Sequence, residues 1–523
     1  MKKNLKKALL LMMAFVMLLT VAGCGDKGEV ATTVVEGEIP DSITAFAVIS
    51  GNAVKAGAKD KNDITAFQMI EEATGCHVEW TNPSPAAANE QFNLLIASGK
   101  YPDVIMYYWP TIPGGMQQYV DDGVIVPLSD YMDFMPNLKK FGEDNPEIRK
   151  QYTLDDGSVL FAPALRKDDK LRVFLGPAIR QDWLDKLGLK MPTNTDELYE
   201  VLKAFKTQDP NGNGKADEIP FTGMKADDLT FGIANLVYAF DTHFDFYIKD
   251  GKVTHGMLEN NMKEALTYLN KLYSEGLLDV DYLVNDDDKY QSKIMNDKSG
   301  FYFCIQPSKY YNAMNDGTKQ IKAVPYINGK CYNTIYKSNL GEGAAITTAC
   351  KNPAGVAKWL DFFYSEEGTL IANYGKKGLT YDVVNGKNVF NEEYVFNNPD
   401  GLDCKDVLAK NTITMTTDFP SIQLWEAYSQ TLKPWGKDAV EVWSESADIS
   451  GALPPLMFTQ KELDTISSVT NELKTYISEA INYFIIGKRD ISEFDTVKEN
   501  LISMGMDELI DIYNDAYVRY QAK

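Results

Sequence analysis

Short apolar runs alternate with amphipathic helical patterns from residue 43 onward, and this alternation constrains the fold more than any other feature of the chain. Ile43-Thr44-Ala45-Phe46-Ala47-Val48-Ile49, Val78-Glu79-Trp80 and Asp103-Val104-Ile105-Met106-Tyr107 read as strands. Between them, residues 63–74 put Ile64, Phe67 and Ile70 on one face before Gly75, and residues 88–98 gather Phe92, Leu95 and Ile96 before Gly99. A glycine just past the last periodic apolar residue is a helix stop signal. Strands separated by helices of this length imply βαβ units and a largely parallel sheet. Further on, Leu198, Val201, Leu202 and Phe205 follow a helical step, with Asn194 and Glu197 spaced for a capping box. The C-terminal region reads as helical: Leu463, Ile466, Val469, Leu473 and Ile477 form a stripe, and a second helix spans about residues 506–520. No internal repeat of solenoid length is present.

The N-terminus carries Lys2, Lys3, Lys6 and Lys7, an apolar run from Ala8 to Leu19, and then Val21-Ala22-Gly23-Cys24. This is a secretion signal over residues 1–23. The apolar run is too short to span a bilayer comfortably, which counts against an uncleaved anchor. Residues 24–41 read as a polar tether that reaches at most about 60 Å when extended. Losing the signal removes four lysines and no acid, so the formal charge falls from −22 to −26. Such a surface repels phosphate backbones, and no long basic run offsets it, so nucleic acid is not an expected partner. Beyond Cys24, the cysteines at 76, 304, 331, 350 and 404 are an odd set without CxxC spacing, which argues against a disulfide framework or a zinc site. The length fits two sizeable lobes.

The 209–218 segment sets oxygen donors at alternate positions around a glycine turn. Asp209, Asn211 and Asn213 supply side-chain oxygens at positions 1, 3 and 5 of an EF-hand-like loop. Gly214 makes the bend and Lys215 offers its backbone carbonyl. Position 12 is Pro220 where a bidentate Glu belongs, so Asp217 and Glu218 must close the shell earlier. A static calcium site is expected, with a solvated Asn-Gly turn as the competing reading.

Several motifs together resemble one family. These are Glu71-Glu72-Ala73-Thr74-Gly75, Phe92-Asn93-Leu94-Leu95-Ile96-Ala97-Ser98-Gly99, Tyr101-Pro102-Asp103, and Ile179-Arg180-Gln181-Asp182-Trp183-Leu184-Asp185-Lys186-Leu187-Gly188-Leu189 with the loop that follows. At the end of the chain stand Pro454-Pro455-Leu456, Phe484-Ile485-Ile486-Gly487-Lys488 and Met504-Gly505-Met506-Asp507-Glu508-Leu509. The chain resembles the extracellular solute-binding lipoproteins of ABC transporters, in the large oligosaccharide-binding group that includes alginate-binding proteins. The Val21-Ala22-Gly23-Cys24 site likewise resembles a lipobox, which implies acylation of Cys24 and a lipid-anchored protein outside the cell membrane; an ordinary signal peptide is the alternative. The resemblance implies an α/β fold of two lobes closing like a clamshell, with a helical C-terminal region. It places the N lobe at residues 42–165 and 340–385 and the C lobe at 166–339 and 386–523. It also implies structural calcium on Asp209, Asn211, Asn213, the Lys215 carbonyl, Asp217 and Glu218. A monomer delivering its cargo to permease subunits in the membrane is expected.

Sugars need aromatic platforms beside polar groups. Tyr107, Tyr108 and Trp109 follow a strand at the end where α/β sheets hold ligands, which makes them the leading candidates. Trp435 and Trp443 are candidates from the C lobe, with core packing as the competing reading for each tryptophan. Gln306 and Tyr310 are further candidates. Arg180 either pairs with Asp182 or binds ligand. Arg166, Lys167, Lys170 and Arg172 form a basic patch that holds a uronate or, as Asp168 and Asp169 suggest, is a solvated loop. No residue is assigned a catalytic role: GxSxG and HExxH are absent, and His77, His243 and His255 lack metal-ligand spacing. The reading is a transport receptor that is not an enzyme. The alternatives are a surface glycan-active enzyme, an adhesive lipoprotein and a peptide receptor.

Overall fold

The computed structural model describes residues 37–523 apart from 174, 229, 306–313, 316, 332–337 and 416–418. Cys24, Gln306 and Tyr310 lie outside the described residues. In chain order the strands are β1 (Ser42–Phe46), β2 (His77–Thr81), β3 (Val104–Tyr107), β4 (Ala162–Arg166) and β5 (Leu175–Arg180). They continue with β6 (Ile219–Phe221), β7 (Phe246–Lys249), β8 (Lys252–His255), β9 (Ser299–Ile305) and β10 (Ile321–Ala323). The last four are β11 (Leu340–Ile346), β12 (Tyr381–Val384), β13 (Lys387–Phe390) and β14 (Ser421–Gln423).

Two main sheets form, one in each lobe. The first has the order β14-β4-β11-β3-β1-β2. β1 runs parallel to β2 and β3, and β14 parallel to β4, while β11 is antiparallel to both β3 and β4. The parallel expectation therefore holds except at β11. That strand enters the sheet from the second lobe, at the end where β4 leaves it, and so runs against its neighbours. The second sheet, β10-β5-β9-β6, is mixed, with β5 antiparallel to β9 and β10 and β6 parallel to β9. The chain crosses between lobes three times: after β4, before β11 and after β14.

The predicted helices are present. Thr65–Thr74 buries Phe67 and Ile70 and ends on Gly75 at φ 73°, and Ala88–Ser98 buries Phe92 and ends on Gly99 at φ 63°. A glycine accepts this left-handed cap at no steric cost. Thr195–Thr207 buries Leu198, Val201, Leu202 and Phe205. The Asn194 side chain caps it by accepting from the Glu197 N–H. The expected reciprocal bond does not form, because the Glu197 carboxylate accepts instead from the N–H and hydroxyl of Thr193. At the C-terminus, Gln460–Ile485 packs Ile466 and Val469 against the second core and buries Leu473 and Ile477 in it, and Met506–Ala522 packs beside it.

One boundary shifts. The return to the first lobe was expected to end at residue 385, yet β14 forms an edge of the first sheet, and Ile413 and Phe419 belong to its core. Pairing with β14 satisfies the open side of β4, which would otherwise stand as an unpaired edge. The first lobe therefore reaches past residue 423, and the second takes up again near the Pro434–Ser446 helix, whose Trp443 joins that lobe's core.

Candidate functional site

β1, β2 and β3 are mutually parallel, and β4 and β14 point the same way because both β3 and β4 oppose β11. All five strands thus release their loops at one end of the first sheet, the end at which open α/β sheets place ligands. Facing it is the C-terminal end of β9. There Ile305 packs against a small apolar cluster of Leu171, Trp425, Leu432 and Val440, with Tyr428 beside it. This cluster joins the first lobe (Trp425 and Tyr428, directly after β14), the second (Ile305 and Val440) and the crossing segment between them (Leu171). The Trp425 and Tyr428 rings lie 6.2 Å apart, and the Lys170 ammonium stands 5.8 Å over Trp425. Trp425 is 9 % exposed, covered between the lobes and not within either. Its signal in the sequence was an aromatic pair at a three-residue step on the short Trp425–Tyr428 helix after a strand.

Two of the tryptophans expected to meet ligand are core residues. Trp109 has no exposed surface; its indole N–H donates to the Gly343 carbonyl at 3.0 Å, and Phe92, Tyr107 and Tyr119 pack edge-on around it. Trp443 is equally buried and donates to the Pro177 carbonyl at 3.0 Å. It lies so close over Gly176 that a Cβ there would stand 2.5 Å from the ring. Neither can present a face to a sugar in this conformation. Tyr107 is stacked on Phe92 with centroids 3.9 Å apart and donates its hydroxyl to Asn89 Oδ1, which leaves one edge accessible. Tyr108 is exposed. Trp435 is half-buried and lines a pocket of about 580 Å³ with Lys322, Asp438, Glu441 and Glu445.

Arg180 resolves to the first of its two readings. It is 1 % exposed, donates Nε and Nη2 to Asp182 at 2.8 and 2.5 Å and Nη1 to Asp297, and stacks on Trp183. Burial works against its charge, but the two carboxylates outweigh it and hold the guanidinium pKa above its usual value. As a buried structural hub it is not available to ligand. The basic patch is not one surface. Arg166 is buried at the lobe crossing, where Nη1 donates to the Leu340 carbonyl; Arg172 pairs with Asp169; Lys170 covers Trp425; and Lys167 is exposed.

The 209–218 loop is a compact turn. Asp209, Gly212 and Gly214 have φ of 45°, 74° and 73°. The side-chain oxygens draw the backbone around them: Asp209 Oδ1 accepts from the N–H of Gly212 and Asn213, Asp209 Oδ2 from Gly214, Asn211 Oδ1 from Asn213 and Asn213 Oδ1 from Lys215. Asp217 Oδ1 accepts from the Asn213 amide, and Oδ2 lies 3.3 Å from the Lys298 ammonium. The Asn213 amide, and behind it Lys298, hold the Asp217 pKa below the usual carboxylate range. Glu218 differs: its Oε1 is buried without a hydrogen-bond partner. Burial, with the charges of Asp209 and Asp217 adding to it, pushes the Glu218 pKa up. Among the described residues no three His, Cys, Asp or Glu side chains form a ligating group by themselves. An ion here would draw equally on the Asn amides and the Lys215 carbonyl, as a hard cation does.

Residues 50–370 match the family described as bacterial extracellular solute-binding protein. The chain is 29 % identical over 487 residues to the fructooligosaccharide ABC transporter substrate-binding protein FusA of Streptococcus pneumoniae serotype 4 (strain ATCC BAA-334 / TIGR4), spanning 89 % of this chain and 88 % of that one. The solved structure of S. pneumoniae FusA in complex with kestose superimposes with a TM-score of 0.69 at 26 % identity, covering 92 % of this chain and 99 % of that one. Alginate-binding protein AlgQ2 without calcium ion gives 0.67 at 25 % identity, covering 93 % and 99 %. With the two-lobed architecture, the aromatic cluster between the lobes and likeness along nearly the whole length, the chain belongs to the bacterial extracellular solute-binding protein family.

Proposed function

We propose that the protein is the lipid-anchored substrate-binding component of an ABC importer, taking an oligosaccharide between its lobes and presenting it to a permease. The observation that carries this reading is the cluster of Trp425, Tyr428, Leu171, Ile305 and Val440, assembled from both lobes and the crossing between them. Aromatic faces there suit the weakly apolar faces of sugar rings. Because the two lobes contribute separately, a ligand gains its full set of contacts only when they close on it, which shifts the population toward the closed state. FusA and AlgQ2, named for fructooligosaccharide and alginate, span the same length of fold. Anchoring through Cys24 rests on the sequence and is checked by loss of membrane association in Cys24→Ala. No residue described here has an assigned chemical step, and the reading is of a binder and not an enzyme.

Calcium is part of this reading, as a brace for the polar 209–218 loop. What supports it is the all-oxygen donor set and the buried Glu218 Oε1, which has no geometric hydrogen-bond partner. Calorimetry on chelator-stripped protein checks it, heat of calcium binding being the expected result.

The experiment for the function itself is a thermal-shift and calorimetry panel of neutral fructooligosaccharides and acidic oligogalacturonates, repeated on Trp425→Ala. At least one glycan is expected to raise the melting temperature in a concentration-dependent way. The variant should lose about 1–3 kcal/mol of that affinity, by analogy with other aromatic stacking contacts and hot spots. Wild-type affinity in Trp425→Ala would remove the cluster as the site, and release of shorter sugars would favour an enzyme.

A further inference from the structure

We propose that Lys298 is a resident counter-cation of the 209–218 loop, holding Asp217 when no metal is bound and competing with a divalent cation for it. The inference rests on the calcium reading and extends it to a residue outside the donor set. Lys298 Nζ stands 3.3 Å from Asp217 Oδ2. A lysine with 44 % of its side chain exposed would ordinarily count as a loose surface pair. Here its backbone is fixed on every side. The Lys298 carbonyl accepts from Ile219 N–H at 2.7 Å, which ties it to the start of β6, and its own N–H donates to the Lys293 carbonyl at 3.2 Å. The preceding residue, Asp297, is held in the left-handed region at φ 64°. Its carbonyl accepts from the Asn211 amide at 3.2 Å, and its carboxylate receives Arg180. Asn211 belongs to the loop, so loop and turn are fastened together twice, once by Asn211 to Asp297 and once by Lys298 to Asp217. The ammonium is therefore delivered to that carboxylate by the fold and does not find it by chance.

Two consequences follow from charge alone. With no divalent ion bound, Lys298 sets one positive charge against the Asp217 carboxylate. When a divalent ion takes Asp217, the ammonium becomes a like charge across one carboxylate and lowers the ion's affinity.

The test is calcium calorimetry on chelator-stripped wild type, K298Q and K298R at low ionic strength, with melting curves of each in excess chelator. K298Q is expected to bind calcium about three- to tenfold more tightly than wild type, with the difference shrinking as salt is raised. Its melting temperature in chelator should fall below that of the wild type, while K298R restores both values. Calcium affinity in K298Q equal to or weaker than wild type overturns the inference and leaves the calcium reading standing. An unchanged melting temperature in chelator overturns the holding role. Heat from K298Q alone, with none from wild type, supports strong competition. Absence of heat from all three proteins overturns the calcium reading and this inference with it.

Discussion

Trp109 and Trp425 each follow a strand of the same sheet at the same end, and they differ in what lies beyond them. Trp109 turns back under its own lobe, where the Gly343 carbonyl accepts its N–H and three aromatic rings enclose it. Trp425 meets residues of the other lobe. Nothing in the local sequence separates these cases, because what decides them is a partner more than two hundred residues away in one instance and the relation of two lobes in the other. Arg180 was more legible: a carboxylate two residues on offered a partner at once, and the structure adds Asp297. The two tryptophans make opposite predictions. Trp109→Ala opens a cavity in the first core and should cost about 3–5 kcal/mol of stability, read as a lower denaturation midpoint, with sugar affinity per folded molecule little changed. If Trp109→Ala abolished binding in protein that melts like wild type, its assignment to the core would be wrong.

At the scale of elements, what the sequence revealed was periodic and what it hid was long-range. The Thr65–Thr74, Ala88–Ser98 and Thr195–Thr207 helices could be read from apolar spacing and terminal glycine or asparagine, since those signals act within one or two turns. The antiparallel direction of β11 and the membership of β14 in the first sheet were hidden, because three-residue β14 has no period to read and its place is set by the open edge of β4. The β7–β8 hairpin carries a prediction of its own. His255 at its end is buried, its Nδ1 accepts from the Met257 N–H, and Phe246 packs edge-on at 5.0 Å. Burial drives its pKa down to about 4, with nearby Asp245 opposing the shift only in part. Unfolded histidine titrates near 6.5, so below that pH the unfolded chain takes up the proton first. The stability held by neutral His255 is complete above pH 6.5 and drains as pH falls toward 4, by about 3 kcal/mol in all. Denaturant titrations at pH 7 and pH 5 should show about 2 kcal/mol of this loss in wild type and less in His255→Gln; equal losses in the two proteins would assign the acid sensitivity elsewhere.

The whole molecule is held by more than its three crossings. The Met506–Ala522 helix and residue Lys523 reach back to the first lobe. Arg519 donates Nε to Asp155 at 2.6 Å in the 153–159 hairpin of that lobe, and Nη1 and Nη2 to Glu462 at 2.9 and 2.7 Å at the start of the long second-lobe helix. Lys523, its side chain only 5 % exposed, donates to the Thr153 carbonyl at 2.6 Å and stands 3.3 Å from Asp155. Beside this contact, Ile112 and Met116 of the first lobe face Leu456, Phe458 and Leu463 of the second across a groove of about 770 Å³. Covalent strands limit how the lobes can swing, and this non-covalent strap limits how far. Replacing Arg519 with Met keeps most of the apolar stem and removes the charge, leaving Glu462, 15 % exposed, facing its capped helix without its cation. Since Arg519 and Asp155 are themselves 29 % and 34 % exposed, solvent screening tempers the loss to about 1–2 kcal/mol. The effect should fade between about 0.05 and 0.5 M salt, concentrations on either side of the roughly 0.1 M at which the Debye length is about 10 Å. Small-angle scattering of the ligand-free protein should show a larger radius of gyration for Arg519→Met than for wild type. A surface pair unrelated to the lobes, such as Lys140 with Asp144, serves as the control. Were Arg519→Met to lose stability with no change in radius, the strap would brace the C-terminal helix alone, and the lobe angle would be governed by the three crossings.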